Sequence, residues 1–487
     1  MRKLITLLLT AFITTVSFSQ EFKQGKVIDD KSLFQDDSKT LGVVDGNIYT
    51  MSVEVNTYSK GDVSLVKIDK DLNLVFNKKL DFKVPGYTDY YVHLFEDKIY
   101  MMYIDPSLLT ITYYYQVFDL DGNVLENKEI GSLSLKEVKV SDKYNNFTAS
   151  PNGEFLSMVV GTNRNSDVGM NIQIIKLTLG ENIGVEQMTS SVDFKGFEST
   201  KLTEVKMDND GNFIGIVQKK MSHNDIEMET EMIVLNEKGN LLKRQEIKSA
   251  GYYFRNFKIE INEDNKIKFA GSYYSLKGKK NYFNGFFIAD YDIDLLEFSN
   301  ENFKPLSGEI LSVYGEPNKK GEYDFWGSFD SKIEENNDGT GYLIVERYGR
   351  GESYTMFAEI FVIPYGKNNE FGNFVYIPKR QQQSNSYSNS GSYYSYVNEN
   401  ILHLYFNANE KIVDAKNNDD LRTLTIPFVD SKTFLCKVDQ NGGRDFSVFE
   451  DNSKSKLYLD TRKSFSKDGS NVLVKVERKK LIYGKFD

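Results

Sequence analysis

Along almost the whole chain, polar turns alternate with short apolar runs rich in β-branched and aromatic residues. Within a run the period is two. Met51, Val53 and Val55 alternate with Ser52 and Glu54, and Val66 and Ile68 alternate with Lys67 and Asp69. Successive side chains of a strand point to opposite faces, so this pattern predicts strands. No i, i+3, i+4, i+7 stripe persists for a dozen residues after the N-terminal segment, and helices are not expected there.

The turns themselves recur. Asp45-Gly46-Asn47 precedes Ile48, Glu96-Asp97-Lys98 precedes Ile99, Asn152-Gly153-Glu154 precedes Phe155, and Asp210-Gly211-Asn212 precedes Phe213. Asp264-Asn265-Lys266 leads into Ile267, Asn337-Asp338-Gly339 comes shortly before Tyr342, Glu399-Asn400 precedes Ile401, and Asp468-Gly469-Ser470 comes before Val472. The eight apolar starts are therefore spaced 51 to 75 residues apart. Each unit holds a further hairpin, as in Asp121-Gly122-Asn123, Lys238-Gly239-Asn240 and Asn441-Gly442-Gly443, where glycine supplies the positive φ of a tight turn.

A repeat of this length with about four antiparallel strands is that of a β-propeller blade. Ordering some 50 residues costs on the order of 75 kcal/mol at roughly 1.5 each, which a lone sheet wetted on both faces cannot recover. Stacking each sheet between two neighbours buries both faces, and closing the ring protects the terminal blades. The fold class is thus all-β, an eight-bladed β-propeller, with seven blades plus extra strands as the alternative. The last unit ends after Leu481-Ile482-Tyr483-Gly484-Lys485-Phe486, one strand short. Residues from about Phe22 to Ile28 are expected to supply that strand and close the ring.

Two stretches depart from the repeat. Residues 300–335, with Lys304-Pro305 and Glu316-Pro317, read as a surface excursion. Residues 381–395, rich in Gln, Ser, Asn and Tyr, read as a mobile loop with exposed tyrosines.

The N-terminus has a different pattern. Arg2 and Lys3 precede an apolar run from Leu4 to Val16, and Ser17 and Ser19 place small residues before Gln20. This is the pattern of a signal peptide over residues 1–19, leaving residues 20–487 as one propeller domain. The run is short for a membrane span, which takes about 20 apolar residues, and none is expected in the mature chain. An exported protein, periplasmic or extracellular, follows from this reading. With one cysteine, Cys436, no intrachain disulfide is possible, and its apolar neighbours Phe434 and Leu435 predict a buried, unreactive thiol.

Composition narrows the function classes. The chain has 34 Phe and 31 Tyr, too many for a disordered tail. A net charge of −10 argues against a general nucleic-acid binder, which needs a basic face. His93, His223 and His403 share no spacing, and no metal site is expected from them. Asp69-x-Asp71-x-Asn73, Asp119-x-Asp121-x-Asn123 and Asp208-x-Asp210-x-Asn212 open like an EF-hand calcium loop. They lack its sixth-position glycine and carry Leu80, Ile130 and Lys219 where the bidentate Glu belongs. Hairpin turns account for them, and no cofactor is expected. A single Trp326, followed by Gly327, excludes Trp-Asp repeats and other blades that need one tryptophan each.

Several motifs near the C-terminus carry a resemblance. Ile377-Pro378-Lys379-Arg380-Gln381, Gly391-Ser392-Tyr393-Tyr394-Ser395, Leu402-His403-Leu404-Tyr405-Phe406-Asn407 and Glu477-Arg478-Lys479-Lys480 followed by Gly484-Lys485 stand in that order. Together with Ser17-Phe18-Ser19-Gln20, this part resembles a recurrent family of secreted proteins of Bacteroidota. The resemblance implies secretion and strand-rich structure, and brings no activity or catalytic position with it.

The function expected from these readings is non-enzymatic binding or scaffolding at the cell envelope, with a protein or polysaccharide partner met on the loop-rich face. The candidate ligand-binding residues are Lys379, Arg380, Tyr393 and Tyr394, two cations beside two tyrosines on an acidic protein. The alternative is a carbohydrate-active hydrolase or lyase using two carboxylates in the central funnel. Sequence spacing identifies no catalytic residue, because funnel residues come from different blades.

Overall fold

The computed structural model describes residues 22–29, 37–53, 60–86, 89–106, 110–134, 143–163, 170–194, 197, 199–220, 229–247, 253–277, 280–306, 311, 328–384, 391–416, 420–425, 428, 430–467, 470–477 and 480–486. The expected leader, residues 1–19, lies outside them, as does most of the expected excursion. Eight sheets, antiparallel apart from one short pairing, make an eight-bladed β-propeller. Blades 1 to 7 span residues 37–84, 90–134, 143–192, 199–246, 253–305, 328–384 and 394–451. Blade 8 joins residues 458–486 to 22–29. Helical turns are short, as at Glu410–Val413 and Asn452–Ser455.

All eight apolar starts read from the sequence fall in the second strand of a blade, from Asn47–Val53 in blade 1 to Ser470–Glu477 in blade 8. The first strands of successive blades meet around the axis. Outermost strands such as Leu74–Val84 and Val124–Ser134 are largely exposed.

Strand alternation explains the core. In blade 2, Tyr100, Met102 and Ile104 pack with blade 3, whereas Ile99, Met101 and Tyr103 pack with blade 1. Both faces of a blade are apolar, so consecutive residues of the central strands are all buried. The eight apolar clusters correspond to the eight blade-to-blade interfaces.

Closure uses the N-terminal strand. Phe22 to Gln24 pair with Phe486 to Gly484, and Ile28 pairs with Leu481, as the outer edge of blade 8. Phe22 meets Phe449 of blade 7 and Phe486 at centroid distances of 4.8 and 5.0 Å. A side chain at Gly484 would run into the Phe22 ring, so glycine is required opposite this strand. Blades 8 and 1 are tied by the Tyr483 hydroxyl on Thr50 Oγ1 at 2.8 Å and by the Thr40 hydroxyl, which donates to the Lys463 carbonyl at 2.6 Å.

Blade 6 departs from the simple repeat. Its third strand, Tyr354–Tyr365, pairs with two short pieces, Val375–Ile377 and Gln381–Ser384, and Leu424–Thr425 joins the latter in parallel. The expected loop over 381–395 is corrected at both ends, and residues 385–390 lie outside the described set. Gln381 and Gln383 are buried because their amides replace water with backbone partners. Gln381 Nε2 donates to the Asn407 carbonyl at 2.6 Å, and its Oε1 accepts from the Ser392 amide at 2.9 Å. Gln383 Oε1 accepts from the Gly391 amide at 3.2 Å.

Two measurements check this account. Phe22→Ala removes both ring contacts that dock the closing strand, and because Phe22 is only half-buried it is expected to cost about 2 kcal/mol in urea unfolding, below the 3–5 of a fully buried ring. His403 stacks on Tyr396 at 4.9 Å and is held neutral, with burial lowering its pKa to about 4. The unfolded chain takes up that proton from about pH 6.5 downward. The contribution is therefore complete above pH 6.5 and is lost as pH falls toward 4, reaching about 2 kcal/mol at pH 5. His403→Phe should flatten the loss of stability between pH 7 and 5 by about that amount.

Candidate functional site

Period-two alternation on three innermost strands builds the site. In blade 4, Val205 and Met207 are buried in the blade interface while Glu204 and Lys206 occupy the other face. In blade 5 the buried Ile259 separates Lys258 from Glu260, and in blade 6 Phe329, Ser331 and Ile333 are buried between Asp330, Lys332 and Glu334. The polar sets meet near the axis. Lys258 Nζ lies 4.0 Å from a Glu204 oxygen and 3.7 Å from Asp330, and Lys206 lies 3.6 Å from Glu260.

These groups line a chamber of about 300 Å³, together with Lys332, Glu346, Ser392 and Tyr393. A wider chamber of about 530 Å³ shares Asp330, Glu346, Ser392 and Tyr393 with it. Its wall adds Tyr348, Arg350, Thr355 and Phe357 from blade 6, Gly391, and Thr461 and Arg462 from blade 8. Together they form one cleft. It lies at the end of blade 6 away from the turn between its first two strands, beside the hairpin that joins Arg350 to Tyr354.

The electrostatics divide into a floor and a rim. At the floor, Glu346 is buried and its pKa is raised by that burial, against the pull of Lys379 and Ser392. Lys379 is 0% exposed, pairs with Glu346, and has its pKa lowered by burial. Both shifts run away from charge, as expected of a pair taken out of water. The Ser392 hydroxyl donates to the other Glu346 oxygen at 2.5 Å. Glu204 is raised, again chiefly by burial, with Lys258 and Lys206 opposing. Burial works against the charge of Lys258, but Glu204, Asp330 and Glu260 outweigh it and hold its pKa above the ordinary value. At about 4 Å each acid contributes on the order of 4 kcal/mol of gross attraction, so two can overcome one partial desolvation. Tyr393, enclosed beside Glu346 and Asp330, is held well above the usual phenol range, first by burial.

Asp330 and Glu346 are direct cross-strand partners in blade 6. Such partners share a sheet face with their Cβ atoms about 5 Å apart. The Asp330 side chain is 63% exposed and Glu346 is covered, so two adjacent carboxyl groups sit in opposite environments.

The four residues expected from the sequence are divided. Lys379 lies under the cleft rather than on the surface, 5.6 Å from the Phe357 ring. Tyr393 is half-buried and walls both chambers. Arg380 is half-buried, and its carbonyl accepts from the Leu424 amide at 3.0 Å. Tyr394 is 5% exposed, because its hydroxyl donates to the Phe465 carbonyl at 2.7 Å inside the blade 7–8 cluster. The expectation of an exposed tyrosine pair is corrected for Tyr394. Glu204, Lys258, Asp330, Glu346, Arg350 and Arg462 escaped the sequence reading. One signal was present: Glu204, Lys258 and Lys332 each stand four residues before the first turn residue, Asp208, Asn262 or Asn336, and Lys206, Glu260 and Glu334 stand two before.

The calcium-like segments have another task. Asp69, Asp119 and Asp208 each accept, through Oδ1, the amides two and four residues on, which closes a hairpin. Among the described residues no group of three or more His, Cys, Asp or Glu could hold a metal ion. His223 lies outside the described residues. Cys436 is buried, with its thiol pushed up to about 12 by burial.

No family model and no curated protein matches the sequence. Solved propeller structures are similar in fold. The polysaccharide lyase Uly1 covers 99% of this chain and 95% of its own at 10% identity and TM-score 0.40. The WD40 domain of SCAP from fission yeast covers 95% and 97% at 9% identity and TM-score 0.40. An α-L-arabinanase of Penicillium chrysogenum complexed with arabinobiose covers 72% and 90% at 10% identity and TM-score 0.32. Their activities differ, and at these identities none passes to this chain.

The buried pair gives a stability prediction. Lys379→Met leaves Glu346 without its cation and is expected to cost about 3–5 kcal/mol in urea unfolding. Combining it with Glu346→Leu should restore most of that, because no charge is then left uncompensated.

Proposed function

We propose that this propeller is an exported binding protein of the cell envelope, and that it takes a glycan ligand in the axial cleft of blades 4 to 8. The leader-like residues 1–19 support export. The observation that carries the binding reading is the composition of the cleft wall. Tyr348, Phe357 and Tyr393 offer aromatic faces around about 530 Å³, beside the Thr355 hydroxyl and the Thr461 and Ser392 oxygens, which donate within the protein and can accept from a ligand. Aromatic faces beside a few fixed polar groups suit a sugar, whose ring has both apolar and hydroxyl-bearing sides. The Ser392 hydroxyl is already fixed on Glu346 and the Thr461 hydroxyl on the Gly391 carbonyl before any ligand arrives, which lowers the ordering cost of binding. The test is calorimetry of the mature chain against a panel of envelope polysaccharides. Tyr393→Ala should weaken binding about tenfold or more while the fold is retained. Binding that survives this substitution unchanged would place the ligand elsewhere.

The facing carboxyl groups favour a second reading, glycoside cleavage. Glu346, with its raised pKa, would protonate the leaving oxygen, and Asp330 would act as nucleophile or base. Product analysis separates the two. Reducing ends that accumulate with the native chain and vanish in Asp330→Asn and Glu346→Gln would replace binding by hydrolysis. Intact polysaccharide after prolonged incubation supports binding.

A further inference from the structure

We infer that the ligand of the cleft is an acidic oligosaccharide, one bearing carboxylate or sulfate groups. This rests on the binding reading and adds the charge and orientation of the ligand. The two chambers differ in what they offer. In the wider one, Arg350 and Arg462 stand in the same wall system as Tyr348, Phe357 and Tyr393. The two carboxyl groups of this wall already face cations, Glu346 paired with Lys379 and Asp330 3.7 Å from Lys258, so on a chain of net charge −10 the two guanidinium groups add positive charge here. A guanidinium fork matches the paired oxygens of a carboxylate or sulfate, and the aromatic faces take the ring that carries it.

The narrower chamber is charge-paired instead. Glu204, Lys258 and Asp330 alternate acid, base, acid at 4.0 and 3.7 Å, so they present donors and acceptors with little net field. Because the chambers share Asp330, Glu346, Ser392 and Tyr393, one ligand can span both. Its anionic unit would lie at the arginines and its hydroxyl-rich unit over the paired floor.

An acidic peptide fits less well. Extended peptides dock by pairing with a free strand edge. The strand that carries Glu346, Tyr348 and Arg350 is already hydrogen-bonded on both sides, to Ser328–Glu335 and to Tyr354–Tyr365.

Calorimetry at low salt with oligogalacturonate, a sulfated galactan oligosaccharide and a neutral galactan oligosaccharide of matched length tests the inference. At least one acidic ligand should bind about tenfold tighter than the neutral one, and Arg350→Gln with Arg462→Gln should abolish that preference. Which acidic ligand binds distinguishes carboxylate from sulfate. Equal binding of neutral and acidic ligands, both lost in Tyr393→Ala, would overturn the acidic assignment and leave the binding reading intact. No binding of any of the three by a folded native chain would overturn both. Tighter binding of poly-glutamate than of either acidic sugar would also overturn the assignment.

Discussion

A four-stranded blade with two apolar faces cannot stand in water by itself, and every other feature of this molecule follows from how that problem is met. Ile99 and Tyr100 are neighbours in sequence, yet one faces blade 1 and the other blade 3. Each sheet therefore needs a partner on both sides, and only a closed ring supplies that to all eight. The interface between blades 7 and 8 is aromatic, with Tyr394, Tyr396 and Tyr405 buried and Phe22, Phe449 and Phe486 packed against them. The residue from the N-terminal strand is thus part of the core it closes. Lys475 lies in the same cluster, 5.5 Å from the Phe22 ring, with its ammonium on Gln24 and Glu450.

Closure also dictates where chemistry can reside. The apolar residues of the innermost strands are taken up by interfaces, so their alternate positions near the axis are the ones left for polar groups. In blades 4 to 6 these positions carry opposite charges in neighbouring blades, and the strands are drawn together by attraction. Blade 6 adds a second layer. Its split outer strand brings Lys379 under Glu346, and Gln381 accepts the amide of Ser392. The cleft is therefore asymmetric in a ring that is otherwise repetitive.

Much of the fold was legible because it depends on local pattern. Positions such as Ile48, Phe213 and Val472 follow turn-forming Asp, Asn and Gly residues in the sequence, and each lies in a second strand. The missing strand at the C-terminus could be counted, and Phe22 to Ile28 supply it. The site was less legible. Lys379 and Gln381 belong to a polar run, and polarity reads as exposure unless the distant partners Glu346 and Asn407 are known. Tyr393 and Tyr394 are adjacent, and alternation sends one to the cleft and the other into the blade 7–8 core. The sequence shows that they diverge but not which of them meets the axis. Glu204, Lys258 and Asp330 come from three blades, and only the ring makes them neighbours.

The charges of the cleft are held by different means at different depths, and this bears on what the site can do. Asp330 is open to solvent, so salt screens its pull on Lys258 and its oxygens remain available to a ligand. Glu346 is covered, and its interaction with Lys379 is largely beyond the reach of salt. A charge added to the floor would meet an unscreened pair already balanced; one added at the rim would meet arginines in contact with water. For the proposed ligand, discrimination by charge would therefore belong to the rim, whereas the floor would fix the geometry against which it is read. Because the strands bearing that floor are clamped on both faces by apolar interfaces, moving it would require opening the core itself.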